Sequence, residues 1–149
     1  MLQIFKTTFF MKSIRLIWVG KTQDTYLRSG INAYMNKLSK YIKIDSDEIK
    51  PAQYSSGNIK KWRRLETENM MKKLDASELN IFLDQKGETQ TSRDLARCFE
   101  KQLLHGTYRA NFFIGGPYGI EKSILPSGTK FLSLSEMTFT HQMVRLFLL

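Results

Sequence analysis

Cysteine is almost absent from this 149-residue chain, which has a single one, Cys98. One cysteine can form no disulfide within the chain and cannot build a cysteine-ligated zinc site. Because disulfides belong to oxidising compartments, we expect a cytoplasmic chain and predict no metal site. Cys98 recurs with apolar neighbours at helical spacing, so we interpret it as a small core residue rather than a reactive thiol.

Long apolar runs are also missing from the sequence. No stretch approaches the roughly 18 apolar residues that a membrane-spanning helix requires. The apolar residues 1–10 are interrupted by Lys6, Lys12 follows them, and no small-residue cleavage site ends them, which argues against a signal peptide. We expect 1–10 to be an N-terminal extension, with Met11 as a plausible start, and we predict no membrane partner.

Acidic residues are few relative to basic ones. The chain has 23 Lys and Arg against 14 Asp and Glu, which gives a formal net charge of +9. That charge favours a polyanionic partner such as RNA, while a merely basic surface remains an equally open explanation. With 42% hydrophobic residues at this length, the chain fits one domain with a substantial core.

Two nucleotide-binding motifs are absent as well. Gly20-Lys21-Thr22 follows an apolar run, but a phosphate-binding loop needs a glycine five positions before Gly20, where the chain has Arg15. No G-x-G-x-x-G sequence follows that run either, so we rank a nicotinamide-dependent oxidoreductase far below the other function classes.

Strand-like and helix-like patterns alternate along the whole chain. β-branched and aromatic runs predict buried strands, whereas Thr22 with Asp24, and Thr91 with Asp94, have the spacing of helix N-termini. This alternation predicts an α/β domain with a largely parallel sheet covered by helices on both faces. We predict strands at 13–19, 42–50, 79–84, 109–114 and 130–134, a turn at 85–88, and helical segments from Thr22, at 59–74, from Thr91 and around 120–125.

The first two predicted helices differ in their surfaces. The second carries six basic and two acidic residues, which indicates either a solvated face or contact with RNA phosphates. Each helix also has apolar positions expected to face the core: Tyr26, Leu27, Ile31, Tyr34 and Leu38 in the first, and Trp62, Leu65, Met70 and Leu74 in the second.

Two of the predicted strands end abruptly in small or hydroxyl residues. The strand 109–114 leads into the glycine turn 115–119, and 130–134 leads into Ser135. Ligands bind at the carboxyl ends of parallel strands, and glycines let the backbone approach a ligand closely. An ordinary tight turn would also explain Gly115-Gly116-Pro117 taken alone. The two strand ends together predict one pocket.

Several landmarks over 11–149 resemble one family, and they occur in its order. With them the chain resembles the RlmH (YbeA-type) members of the SPOUT superfamily. The resemblance implies a C-terminal trefoil knot and a homodimeric, cytoplasmic enzyme. It implies that the enzyme uses S-adenosyl-L-methionine to methylate ring nitrogen 3 of a pseudouridine in the 23S ribosomal RNA of the large ribosomal subunit. The landmarks are Val19-Gly20-Lys21, Leu83-Asp84 with Gly87, Ile114 to Gly119, Leu134 to Phe139, His141 and Val144-Arg145.

The chemistry of the acceptor suggests two site residues, and the resemblance implies those that bind the cofactor. His141 is a candidate acceptor for the proton of the ring nitrogen, and Arg145, four residues later, is a candidate for contact with the RNA backbone or for charge stabilisation. A helix-capping histidine and a packing arginine are the simpler alternatives, and Glu136 is a weaker catalytic candidate. The implied cofactor-binding residues are Leu83, Gly115, Gly116, Leu134, Ser135, Glu136, Met137, Thr138 and Phe139.

The chain departs from the family pattern at two places. Thr140 stands where the family usually has proline, and the sequence ends at Leu149, where the family continues into a tail rich in tyrosine and histidine. We therefore expect residues 11–149 to be a single SPOUT methyltransferase domain that lacks this tail. The alternative function is that of a truncated, catalytically inactive RNA- or ribosome-binding domain.

Overall fold

The computed structural model describes residues 11–55 and 57–149, so the predicted extension 1–10 lies outside the described residues. Strands and helices alternate, as predicted from the sequence. The elements in chain order are β1 (Ser13–Val19), α1 (Thr25–Leu38), β2 (Lys43–Ile49), α2 (Ile59–Met71), β3 (Leu79–Thr89), α3 (Ser92–Leu104), β4 (Arg109–Ile114), a short 3-10 helix (Lys122–Ile124), β5 (Lys130–Ser133) and α4 (His141–Leu148).

The five strands form one sheet in the order β2-β1-β4-β3-β5. Every pair of neighbouring strands is parallel. The α/β class and the parallel sheet predicted from the sequence are therefore confirmed. Because all five strands run the same way, their carboxyl ends lie at one edge of the sheet, which we call the carboxyl edge.

Both faces of the central strands are buried, which explains their nearly continuous apolar sequences. On one face, Leu16 and Phe112 belong to a core cluster that the apolar side of α4 also contacts. On the other face, Phe82 and Phe113 stack with their ring centroids 4.4 Å apart and pack with Met70 of α2. The edge strand β2 is largely exposed, in agreement with its imperfect apolar alternation.

Helix α1 begins later than the sequence predicted. Its N-cap is Asp24, whose side chain makes no capping hydrogen bond, so the assignment of Thr22 as N-cap is wrong. The Thr22 hydroxyl is instead an acceptor for the Arg145 guanidinium, at 2.8 Å. Tyr26 and Tyr34 were also expected in the core, but they are largely exposed.

Helix α2 ends at Met71 rather than Leu74, and its buried face is rotated from the predicted one. Leu65 is exposed, whereas Glu66 is only 1% exposed. Glu66 lies four residues after Trp62 and four before Met70, so these three residues share one side of the helix. The charged residue Glu66 thus takes the core position that the apolar pattern assigned to Leu65.

Strand β3 continues past the segment 85–88 that was predicted to be a turn. The ladder is interrupted there, because both Leu83 and Glu88 pair with Leu132 of β5. A Cβ on Gly87 would lie 2.7 Å from the carbonyl carbon of Leu132, a distance that side chains do not tolerate. Gly87 therefore lets β3 return to the β5 backbone after an irregular bulge.

The N-termini of the last helices have regular caps. The capping box between Thr91 and Asp94 is confirmed at the start of α3. At the start of α4 the Thr140 hydroxyl accepts a hydrogen bond from the Met143 amide at 3.2 Å. The residue that departs from the family pattern is therefore a functional N-cap, and α4 enters without proline.

Candidate active site

The glycine turn after β4 and the bend after β5 lie at the same carboxyl edge of the sheet, with β3 between them. In the bend, Ser133 donates a side-chain hydrogen bond to the Ser135 carbonyl at 2.9 Å. The Ser135 hydroxyl then accepts from the Met137 amide at 3.0 Å. These two local bonds turn the chain away from the sheet toward α4.

A cavity of about 70 Å³ opens beside this bend. Its walls combine apolar residues with the polar residues Asp84, Gln85, Ser133 and Ser135 at the strand ends, a combination that suits a small organic ligand. Five of the nine predicted cofactor-binding residues line it, and Gly115, Gly116, Glu136 and Thr138 do not. The lining residues are Leu83, Asp84, Gln85, Leu132, Ser133, Leu134, Ser135, Met137, Phe139 and Val144.

The glycine turn is packed against protein atoms on the side where its side chains would point. A Cβ on Gly115 would lie 3.0 Å from Ile120, and one on Gly116 would lie 2.7 Å from Oε2 of Glu66. The turn is closed by a hydrogen bond from the Gly119 amide to the Gly116 carbonyl at 3.1 Å. Gly116 is therefore required at least in part for the approach of a buried carboxylate, a reason that the sequence did not reveal.

Glu66 is the buried acid at the centre of this arrangement. Its Oε1 accepts hydrogen bonds from the Ala52 amide at 2.9 Å and from the Tyr54 hydroxyl. Its Oε2, facing Gly116, has no hydrogen-bond partner within the part of the chain that the structure describes. One side chain thus ties the loop after β2 to the turn after β4. The spacing of Glu66 from Trp62 and Met70 was the available sequence signal.

Arg145 is completely buried, with 0% of its surface exposed. Its guanidinium donates hydrogen bonds to the Val19 carbonyl at 2.7 Å, the Gly20 carbonyl at 3.1 Å and the Thr22 hydroxyl at 2.8 Å. The guanidinium also lies 5.1 Å from the centre of the Trp18 ring. Burial lowers the pKa of Arg145 to about 10, so it stays charged at neutral pH. This geometry fastens α4 to the end of β1, and the buried Nε of Arg145 has no hydrogen-bond partner among the described residues.

His141 occupies the first position of α4, one helical turn before Arg145. Its side chain is half-buried. Burial, and to a smaller extent the charge of Arg145, lowers the pKa of His141 below its ordinary value. The imidazole is therefore neutral at pH 7 and has a nitrogen able to accept a proton.

The described residues contain neither a metal-binding cluster nor a membrane-spanning helix. No group of three or more His, Cys, Asp or Glu side chains in 11–55 and 57–149 is arranged to hold a metal ion. Over the same residues, no helix is both long and apolar enough to cross a membrane.

Known proteins resemble the chain over nearly all of its length. The family model described as "Predicted SPOUT methyltransferase" matches residues 11–149. Two relatives named "Ribosomal RNA large subunit methyltransferase H" are 38% identical over 136 residues, in Geotalea daltonii, and 39% identical over 140 residues, in Acetivibrio thermocellus. Each alignment covers 91% of this chain and 88% of the relative. A relative of the same name in Flavobacterium johnsoniae is 39% identical over 137 residues, covering 91% of this chain and 87% of the relative. The resemblance drawn from the sequence landmarks is thereby confirmed, and the chain belongs to the SPOUT methyltransferase family.

Proposed function

We propose that the chain is an S-adenosyl-L-methionine-dependent ribosomal RNA methyltransferase. The observation that carries the proposal is the family match across 11–149, which spans every element that builds the carboxyl edge. The names of the relatives supply the substrate class, large-subunit ribosomal RNA. Ring nitrogen 3 of a pseudouridine is the acceptor implied by the sequence resemblance, and we propose the cytoplasm as the location of the reaction.

The lining of the cavity fits the chemistry of the cofactor's adenosine part. Leu83, Leu134 and Val144 offer apolar walls, and the backbone of 133–135 offers hydrogen-bonding groups. When bound, the cofactor supplies a methyl group carried on a positively charged sulfur. Ligand sites usually enclose about 300 Å³ or more. The cavity is smaller, so we expect the bend 134–140 to move outward when the cofactor binds.

In the proposed mechanism, His141 handles the proton of the acceptor. A ring imide nitrogen must lose its proton as it attacks the methyl group, and a neutral imidazole can accept that proton. The lowered pKa of His141 keeps it in the accepting form at neutral pH. For Arg145 we propose a positioning role, because its guanidinium holds the end of β1 against α4.

A homodimer is the proposed assembly. Met137 and Phe147 are 72% and 51% exposed. Met137 lines the cavity, and the Phe147 ring lies 4.7 Å from that of Phe139, which also lines it. A second copy that covered these side chains would bury apolar surface and extend the walls of the cavity. Sedimentation analysis should therefore show a dimer, and Met137→Glu should shift it toward the monomer. The trefoil knot stays a prediction of the family resemblance.

The decisive experiment measures transfer of a labelled methyl group from S-adenosyl-L-methionine to large ribosomal subunits that lack the modification. We expect incorporation at one pseudouridine, strongly reduced by His141→Gln and unaffected by His105→Gln, since His105 is an exposed histidine at the C-terminal end of α3. Incorporation at a different base, or into subunits already modified, would contradict the proposed specificity.

The small cavity also favours the second candidate, an RNA- or ribosome-binding domain without turnover. Calorimetry with S-adenosyl-L-methionine separates the two candidates. Heat of binding, saturating at one site per chain, supports the enzyme. Absence of heat at high protein concentration, combined with retained binding to large ribosomal subunits, supports the second candidate.

A further inference from the structure

Three aromatic rings from three separate elements meet at the carboxyl edge beside α2. They are Tyr54 from the loop after β2, Trp62 from α2 and Tyr118 from the glycine turn. The ring centroids of Tyr54 and Trp62 are 5.1 Å apart, and each of these rings lies 5.5 Å from that of Tyr118. Trp62 is buried, whereas Tyr54 and Tyr118 are 40% and 38% exposed. The cluster, which we call the ring platform, therefore presents two tyrosine rings to solvent over a tryptophan.

The ring platform is held in place by the buried acid Glu66. The Tyr54 hydroxyl donates a hydrogen bond to this carboxylate, and burial together with Glu66 raises the pKa of Tyr54, so the hydroxyl keeps its proton. Tyr118 follows Gly116 by two residues, and Gly116 packs directly against Glu66. The Tyr54 ring is thus held in place before any partner binds, which reduces the entropy lost on binding.

Two exposed lysines immediately precede Trp62 of the ring platform in the chain. Two of the four basic side chains of α2 contact an acid, since Arg63 pairs with Glu121 and Arg64 pairs with Glu68. Lys60 and Lys61, in the first turn of α2, are exposed and have no acidic partner within 4.0 Å among the described residues. The amino-terminal end of a helix adds further positive potential at the same place.

We propose that the ring platform, with Lys60 and Lys61, binds an unpaired nucleobase of the RNA substrate and the phosphates beside it. The identification of RNA as the substrate rests on the proposed function. Exposed rings flanked by lysines match single-stranded nucleic acid, whose bases stack on aromatic side chains while its phosphates contact cations. A base inside a duplex has no free face to offer.

The position of the ring platform favours RNA over the adenine of the cofactor. The cavity is lined by side chains of the core cluster on the α4 face of the sheet, such as Leu83 and Leu132, whereas Trp62 belongs to α2 on the other face. Both surfaces open at the carboxyl edge. A strand of RNA that crosses this edge can present one base to the cavity and a flanking base to the ring platform.

The test compares binding of one labelled RNA of about 12 nucleotides, single-stranded or in a duplex, by fluorescence anisotropy. Tyr118→Leu removes the stacking face and should weaken single-strand binding about 5- to 100-fold, whereas Tyr118→Phe, which keeps the ring, should bind within about twofold of the unchanged chain. Duplex binding should be the same for all three chains.

Charge variants provide the second arm of the experiment. Replacing Lys60 and Lys61 by glutamine should lower the slope of log affinity against log salt by about 1.4, because each phosphate contact contributes about 0.7 for single strands. The matched control replaces Lys40 and Lys101, which are also exposed, and should leave that slope unchanged. Calorimetry with S-adenosyl-L-methionine should give the same affinity for every variant.

Three outcomes separate the possible roles of the ring platform. Equal single-strand affinities for Tyr118→Leu and Tyr118→Phe, with unchanged thermal unfolding, would overturn the ring platform even if methyl transfer proceeds normally. Loss of cofactor affinity in Tyr118→Leu but not in Tyr118→Phe would assign the rings to adenine instead. Ring-dependent RNA binding by a chain that transfers no methyl group would support the ring platform while refuting the proposed enzyme.

Discussion

The buried guanidinium of Arg145 allows a quantitative prediction that separates a structural role from contact with RNA. From the sequence, Arg145 was a candidate for contact with the RNA backbone or for charge stabilisation, with packing as the alternative, and in the structure it donates hydrogen bonds to the Val19 and Gly20 carbonyls and the Thr22 hydroxyl. Two substitutions distinguish these roles. Arg145→Lys keeps the positive charge but loses the planar guanidinium and its several N–H donors. Arg145→Met keeps the apolar part of the side chain but loses both the charge and the donors.

The expected magnitudes follow from these contacts. A lysine ammonium replaces at most part of the three bonds, and a buried carbonyl without a partner costs about 1–3 kcal/mol, so Arg145→Lys should destabilise the fold by about 2–4 kcal/mol. Methionine leaves both carbonyls unpaired. It also removes the cost of burying the charge, which is about 3 kcal/mol for a pKa lowered from 12.5 to about 10. Arg145→Met should therefore be no more destabilising than Arg145→Lys.

Urea unfolding at a fixed protein concentration measures both free energies, and the same proteins are titrated with the labelled single-stranded RNA. Arg97 is the matched control, because its side chain is 74% exposed and its contact with Asp94 lies on the surface. Arg97→Lys and Arg97→Met should change the free energy of unfolding by less than about 0.5 kcal/mol. Arg145 variants that unfold like the unchanged chain but lose RNA affinity would refute the positioning role.

Three other substitutions test the packing and the proposed proton acceptor. Gly116→Ala should destabilise the fold by about 1–3 kcal/mol because its Cβ would meet Oε2 of Glu66. The additional change Glu66→Ser should remove most of that steric conflict. A double-mutant cycle of urea unfolding should therefore show a coupling energy between the two positions. Gly87→Ala should lower the free energy of unfolding by at least as much, because its Cβ would meet backbone atoms of Leu132, which cannot move away as a side chain can. A free energy of unfolding equal to that of the unchanged chain would contradict the observed bulge. In the methyl-transfer assay, the rate should fall as the pH drops through a pKa lower than the 6.5 of an ordinary histidine, because His141 then binds a proton; a pH profile unchanged by His141→Gln would exclude it as the acceptor.

The strands and the order of the elements were predictable because their signals are local. Buried parallel strands have nearly continuous apolar sequences, and β4 is a clear example. The capping box at Thr91 was equally predictable, since two residues three positions apart, Thr91 and Asp94, determine it. The bulge in β3 was not, because Gln85 to Glu88 has the composition of a turn and only its contact with β5 shows that the ladder resumes.

In the candidate site, too, the features with local sequence signals could be predicted and those that depend on distant segments could not. The bend after β5 could be located from its hydroxyl residues, and Leu134, Ser135, Met137 and Phe139 do line a cavity there. The partners of Glu66 and Arg145 could not be predicted, because burying a charge depends on acceptors supplied by distant segments. Arg145 illustrates the distance, as its bond to the Val19 carbonyl joins residues 126 positions apart.

That separation has a consequence for how the protein is made. A ribosome synthesises β1 first and α4 last, at about 5–20 residues per second, so the carbonyls at the end of β1 wait several seconds for the guanidinium that will satisfy them. Until then, the growing polypeptide exposes an incompletely paired strand end beside a core that lacks its closing helix. Among the described elements, packing of α4 is thus the step that completes the end of β1, and it can occur only after α4 has left the ribosome.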